Sequence, residues 1–221
     1  STAFFTNNDS AYESAISLHK KGIKVEAIVD IRDKSNSKIV NEAIDLGIMI
    51  YWSHAVINTD GYKRLKKISI MELSKDNQSV VGIKKNINCD CLGIAGGWTP
   101  AVHLFTQSGG KLKFNEKDQV FLPNEYPSEQ ISIGSCNGDF ELDKIIKNSS
   151  IALKKFLKID KTDYENLNIE SSSDISKKNI WLIPSAIPIG KTKSFVDYQN
   201  DATAKDIKLA LREGFKSIEH V

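Results

Sequence analysis

The sequence predicts an α/β protein in three layers: helices, a parallel sheet, and a group of antiparallel strands. Three observations carry this. Residues 2–51 alternate short apolar stretches with helical stripes, residues 55–83 alternate apolar and polar positions, and the apolar run CDCLGIA follows at 89–95. Strand–helix–strand–helix–strand with short loops is a parallel βαβαβ unit, because a parallel pair needs a crossover that a helix can supply. The period-two segments predict an antiparallel meander inserted after it.

Each element has its own local reason. Residues 2–6 form a short apolar strand. Ser10-Ala11-Tyr12-Glu13 has the spacing of a capping box, and Ala11, Ala15, Ile16 and Leu18 share one helical stripe that ends at Gly22. Residues 24–31 (KVEAIVDI) read as the second strand. A second helix is expected over 37–46, with Ile39, Val40, Ala43 and Ile44 inward and Gly47 closing it; 48–51 is the third strand. Asp60-Gly61 and Asp76-Asn77 then split 55–59, 65–73 and 79–83 into the meander. Residues 89–95 are expected as a buried strand returning to the parallel sheet.

Beyond Gly96 the character changes. Gly96-Gly97-Trp98-Thr99-Pro100 is a turn cluster, and 111–114 and 119–122 are short extended segments. Residues 130–133 are expected as a strand leading into Gly134-Ser135-Cys136-Asn137-Gly138. The helix over 142–157 carries Leu142, Ile145, Ile146, Ser149, Ala152, Leu153 and Phe156 on its apolar stripe. Residues 159–179 are polar and predict a linker or surface loop, 180–184 a further strand, and 204–213 an amphipathic helix stopped by Gly214.

Composition narrows the function. Thirty Lys and Arg against 28 Asp and Glu give a net charge of +2, with the basic pairs scattered. A nucleic-acid partner would call for a basic patch or stripe, so none is expected. No apolar run approaches the roughly 20 residues that span a bilayer, and none is expected to do so. The start lacks a basic leader and a long apolar core, and three cysteines make no disulfide framework, so a cytoplasmic setting is expected. The chain opens without Met, directly on a strand, which reads as an internal piece of a longer polypeptide.

The first strand-to-helix turn is the most telling candidate site. A dinucleotide fingerprint needs G-x-G-x-x-G/A, glycines that let the backbone approach a diphosphate. Here the turn is Thr6-Asn7-Asn8-Asp9-Ser10-Ala11: Thr6 and Asn8 replace two glycines, Ala11 alone fits, and Asp9 would repel the anion. This predicts a structural relic that binds no dinucleotide, with Asp30 a strand-end polar residue where a ribose-binding carboxylate would sit. His103 has no carboxylate or Cys at readable spacing and is expected to pack or form interface. Cys89 and Cys91 are expected as buried thiols on one strand face. The histidines show no metal spacing.

Three segments carry a family resemblance: the opening FTNNDSAY, the crossing GGWTPAVHLFTQSGGKL, and the terminal FVDYQNDATAKDIKLALREGFKSIEHV. Together they resemble the alpha subunit of heterotetrameric sarcosine oxidases, over essentially the whole chain. The layout is similar to FAD/NAD(P)-binding flavoproteins of the two-dinucleotide-domain type, so the resemblance implies a Rossmann-like fold with the start of a small helical C-terminal module. It implies a nested pyridine-nucleotide-type domain at 1–95, the return segment of the larger FAD/NAD-type domain at 96–158, a linker at 159–179, and the start of the A3-like domain at 180–221.

The implied activity is oxidative demethylation of sarcosine to glycine, with hydrogen peroxide and, with tetrahydrofolate, 5,10-methylenetetrahydrofolate. The implied partners are the beta, gamma and delta subunits. NAD would sit in alpha, FAD and covalent FMN mainly on beta, and tetrahydrofolate on a C-terminal domain outside this chain. Ser135 stands where FAD disulfide reductases have an Asp on the flavin ribitol, and the resemblance points to Gly134, Ser135, Phe140 and Leu142 as a wall of the NAD pocket. No catalytic residue is assigned. Distant amine dehydrogenases have a Cys-x-Cys for an iron–sulfur cluster where this chain has Asp197 and Gln199. Neither is a thiolate, so no cluster and no metal are expected. Two other readings stay open: a non-catalytic interaction module, and a subunit of an opine-type secondary-amine dehydrogenase.

Overall fold

Successive side chains of a strand face opposite ways, and the first sheet of the protein is apolar on both faces. The computed structural model describes residues 1–127, 129–158, 178–185 and 187–217. Strand β1 (Thr2–Thr6) leads to α1 (Ser10–Lys20), β2 (Val25–Asp30), α2 (Lys38–Asp45) and β3 (Ile50–Trp52). The meander is β4 (His54–Gly61), β5 (Leu65–Leu73) and β6 (Val80–Asn88), and β7 (Cys91–Ala95) returns beside β1. The parallel sheet has the order β3-β2-β1-β7, and the meander the order β4-β5-β6.

Alternation along the strands builds two cores. Phe4 and Ile28 meet Tyr12, Ala15 and Ile16 of α1 and Val40 and Ala43 of α2. Ala3 and Val29 face the other way, onto Ile68 and Ile70 of the meander and Cys89. Each fully buried aliphatic side chain of this kind stabilises the fold by about 1.5–3 kcal/mol. The expected three layers are therefore present.

After β7 come α3 (His103–Gln107) and a hairpin of β8 (Lys111–Asn115) and β9 (Val120–Glu125). A 3-10 turn, Gly134–Asn137, precedes α4 (Leu142–Leu157); later, β10 (Phe195–Asp197) pairs with β11 (Ala202–Thr203) ahead of α5 (Ala204–Arg212). Gly138 closes the 3-10 turn at φ +85°, and a Cβ there would lie 2.7 Å from Leu122 of β9. Only glycine fits both demands.

Several expectations need correction. The Ser10–Glu13 capping box does not form: Ser10 is already helical, and its N–H donates to the Asn8 side chain at 3.0 Å. Ile44 is exposed, because α2 turns only Val40 and Ala43 fully inward. Strand β7 is the sheet edge, not a buried strand, and leaves Ile94 71 % exposed. Residues 130–133 and 180–184 form no strand, since no neighbouring strand pairs with them. Ile180 and Ile183 instead pack their side chains on Ile31, Ala55 and Leu73. The α4 bounds match the expected helix, yet none of its residues is buried. Of the expected linker, 159–177 lies outside the described residues.

Candidate functional site

The first βα turn is filled by its own side chains. Thr6 Oγ1 accepts from the Asn8 N–H at 3.1 Å and donates to the Asn8 carbonyl at 2.8 Å. The Asn8 amide donates to Asn7 Oδ1 at 2.7 Å and to the Ala95 carbonyl at 3.3 Å. Asn7 Nδ2 donates outward, to the carbonyls of Gly96 at 3.0 Å and Lys178 at 3.2 Å. Three distant parts of the chain thus meet on one asparagine. Thr6, Asn7 and Asn8 are all buried. Where a glycine fingerprint would present bare N–H groups to a diphosphate, this turn presents satisfied amides under a roof at 178–179.

Charge closes the same corner. Asp30, at the end of β2, is wholly buried and receives Tyr12 Oη–H at 2.8 Å, Arg32 Nη2–H at 2.8 Å and the Arg32 N–H at 2.9 Å. Arg32 Nη2 also lies 2.7 Å from Asp9 Oδ1. Burial, with the Asp30 carboxylate beside it, pushes the Tyr12 phenol well above its ordinary range. Burial works against the Arg32 charge, but Asp30 and Asp9 outweigh it and hold the guanidinium protonated. Asp30 is therefore committed to Arg32 and Tyr12 rather than open to a ribose. The pair was missed in the sequence, where Asp30-Ile31-Arg32 was its only signal: alternate positions bring an acid and a base to one side.

The four expected NAD-wall residues lie along one short path. Gly134 and Ser135 open the 3-10 turn, whose carbonyls accept from the Asp139 and Gly138 N–H groups at 3.1 and 3.2 Å; Leu142 starts α4, one turn from Ile145, which packs 3.5 Å from a Cβ built on Gly134. Ser135 and Leu142 are exposed and Phe140 is half-buried. Glu141 precedes α4 without a side-chain capping bond and pairs with Lys144 at 2.7 Å, with Asp143 in the first turn. These carboxylates offset the helix dipole, so this edge suits a ribose or base better than a phosphate.

The thiols correct the sequence reading. Cys89 is buried, its thiol pushed up by burial, whereas Cys91 is exposed. They do not share a face, because β7 begins only at Cys91. Asp197 Oδ1 and Oδ2 accept from the Gln199 N–H at 2.7 Å and the Asn200 amide at 2.6 Å, and these bonds hold its carboxyl below the usual range. Asp197 thus ties the β10–β11 turn, and Gln199 is exposed. Among the described residues no three His, Cys, Asp or Glu side chains converge as a metal site, and no helix is long and apolar enough to cross a membrane. His103 is exposed at the start of α3.

This architecture is a Rossmann-like α/β fold. It is similar to L-proline dehydrogenase from P. horikoshii (TM-score 0.50, 15 % identity, 97 % of this chain and 37 % of that one). It is also similar to Lactococcus lactis thioredoxin reductase (TM-score 0.50, 16 % identity, 71 % and 52 %). By sequence the chain is similar to sarcosine oxidase alpha subunits. It is 27 % identical to that of Corynebacterium sp. (strain P-1) and 29 % to that of Rhizobium meliloti (strain 1021), over 98 % of this chain in both cases. It spans 23 % and 21 % of those relatives' length. The sarcosine oxidase A3 domain model matches residues 191–221.

Proposed function

We propose that this chain is part of the alpha subunit of a sarcosine-oxidising flavoenzyme, supplying one wall of an NAD pocket and a surface for other subunits. The single observation that carries this is similarity to sarcosine oxidase alpha subunits along almost the whole chain. The fold supports it. The nested domain, 1–95, completes its own core, while its nucleotide turn is closed by Asn7, Asn8, Asp9 and Arg32. We therefore place NAD at Gly134, Ser135, Phe140 and Leu142, on the return segment 96–158, with the A3-like module beginning near residue 180.

In this reading the chain performs no redox step. Flavin, FAD and FMN mainly on a beta subunit, supplies the oxidation of the amine, and tetrahydrofolate on a domain outside this chain receives the one-carbon unit. Gamma and delta subunits complete the assembly in the cytoplasm. The residues here bind and orient. Ser135 Oγ, exposed on the 3-10 turn, can hydrogen-bond a ribose hydroxyl, and Phe140 and Leu142 offer apolar area to a flat ring.

The test is Ser135→Glu in the assembled enzyme, because an exposed position tolerates the change and the new carboxylate would repel NAD. NAD content should fall while flavin content and the fold, read by circular dichroism, persist. Unchanged NAD stoichiometry would exclude this wall.

A further inference from the structure

A large cavity lies elsewhere, between the meander, a strap of residues 182–185 and 187–194, and α5, and none of the four residues proposed for NAD lines it. Its volume is about 1280 Å³. On α5 the lining residues are Lys205, Lys208, Leu209 and Arg212, which share one helical face by their spacing of three and four. Lys191 and Lys193 face it from the strap. Among the described residues no Asp or Glu lines the cavity, and no ion pair engages any of these five cations. The nearest candidate, Asp206 of α5, is occupied by the N–H and hydroxyl of Thr203.

All five cations are exposed, so water screens their mutual repulsion, but a concavity lined by one sign of charge still concentrates anions. The chain as a whole carries only +2, so the clustering is local. Four of the five cations are lysines, which bind phosphate as compact point charges, and Arg212 adds a planar fork that can hold two phosphate oxygens. Between them the walls are mixed: Val56, Ile57, Leu182 and Leu209 are apolar, and Asn58, Thr59, Asn77 and Gln78 add neutral polar groups. Concavity with an apolar lining and a few polar groups marks a small-molecule site, and the volume exceeds the ~300–1,000 Å³ usual for drug-sized ligands.

We propose that this cleft binds a small molecule carrying one or more phosphates on an apolar or aromatic body, of nucleotide size. The α5 and strap lysines hold the phosphates, and the β4 side of the cleft takes the organic body. The assignment rests on the cleft alone and stands or falls independently of the NAD wall.

Isothermal titration of the full chain with ADP and with inorganic pyrophosphate tests it, at low and at physiological salt. The comparison is with Lys205→Glu/Lys208→Glu and with Lys84→Glu, a charge reversal on the exposed face of β6. Circular dichroism checks that each variant folds. Saturable binding of both probes is expected, weakened roughly tenfold or more in the double variant and unchanged in Lys84→Glu. Two results would overturn the proposal outright: no saturable binding to the wild-type chain, or equal binding in the double variant. Tighter binding of a glutamate-rich peptide than of ADP would overturn it too, by assigning the cleft to an acidic protein segment.

Discussion

All but four of the buried apolar side chains among the described residues lie before residue 96; the exceptions are Pro100, Phe105, Val120 and Ala210. The two regions are also unlike in their charges. In the first, Asp30, Arg32 and Tyr12 are buried together and satisfy one another. In the second, α4 holds Leu142, Leu153 and Phe156 about half exposed or more, although its pattern is that of a core-facing helix. The difference separates a unit whose apolar faces pack on one another from one whose apolar faces stay largely exposed among the described residues. Similar sequence patterns, a stripe at helical spacing, thus meet two fates according to what lies opposite.

The largest expected effect probes the packed unit. Arg32→Met removes the cation from between Asp30 and Asp9, leaving buried carboxylates unpaired, which costs about 3–5 kcal/mol. Urea unfolding of the full chain measures it, and adding Asp30→Asn should recover part of the loss because the two sites are coupled. A loss below about 1 kcal/mol would mean that this corner is solvated, and the comparison with the second region would fail there.

A smaller effect sharpens the same point through pH. Burial, then the Asp30 carboxylate, raises the Tyr12 phenol in the fold above its unfolded value. The stability it contributes is thus fully present below the ordinary tyrosine range near about pH 10 and lost as pH rises beyond it. Tyr12→Phe should cost about 1–2 kcal/mol at neutral pH for the hydrogen bond. It should also flatten the alkaline limb of stability against pH by about 1.4 kcal/mol per unit, one proton's worth. An alkaline limb as steep as wild type would show that Tyr12 ionises freely.

Asn7→Ala examines the seam between the regions. Losing the bonds to Gly96 and Lys178 should cost about 1 kcal/mol. Hydrogen exchange should quicken at 178–183 while β1 and β2 keep their protection. Uniform quickening would mean that Asn7 supports the whole sheet rather than the seam.

Legibility in the sequence follows the same division. The βαβαβ unit, meander and return strand were readable because periodicity reports burial, and here burial is completed by neighbours within the described residues. The helix over 142–157 was readable as an element, but its environment was not: a stripe says which face is apolar, never what covers it. Strands expected at 130–133 and 180–184 failed for a related reason, since a ladder needs a partner and the local pattern does not name one. At the first turn, the missing glycines were plain. The replacements were not: Asn7 joining Gly96 and Lys178, and Asp30 joining Arg32, are long-range or side-chain pairings that spacing alone does not disclose. The cleft lined by Lys191, Lys193, Lys205, Lys208 and Arg212 escaped notice because none of them falls in an adjacent basic pair, and only the fold brings the strap and α5 to one concavity.

An effect as small per site as that of Asn7→Ala is the most discriminating for α4. Leu153→Ser with Phe156→Ser alters two side chains that are 48 % and 50 % exposed, so the full chain should lose only about 1 kcal/mol per site beyond helix propensity, half the value of a buried one. In a core helix the same pair of changes would remove several kilocalories. If α4 instead packs against the rest of a larger assembly, the double variant should shift the chain's own unfolding curve no further than this yet reduce its incorporation into the complex with the partner subunits, read by size-exclusion chromatography of co-expressed proteins. A large destabilisation of the chain by itself would show that α4 already lies in a finished core, and the contrast between the two regions would dissolve. Intact assembly with an unfolding curve moved no further than this would place the subunit-facing surface away from this helix.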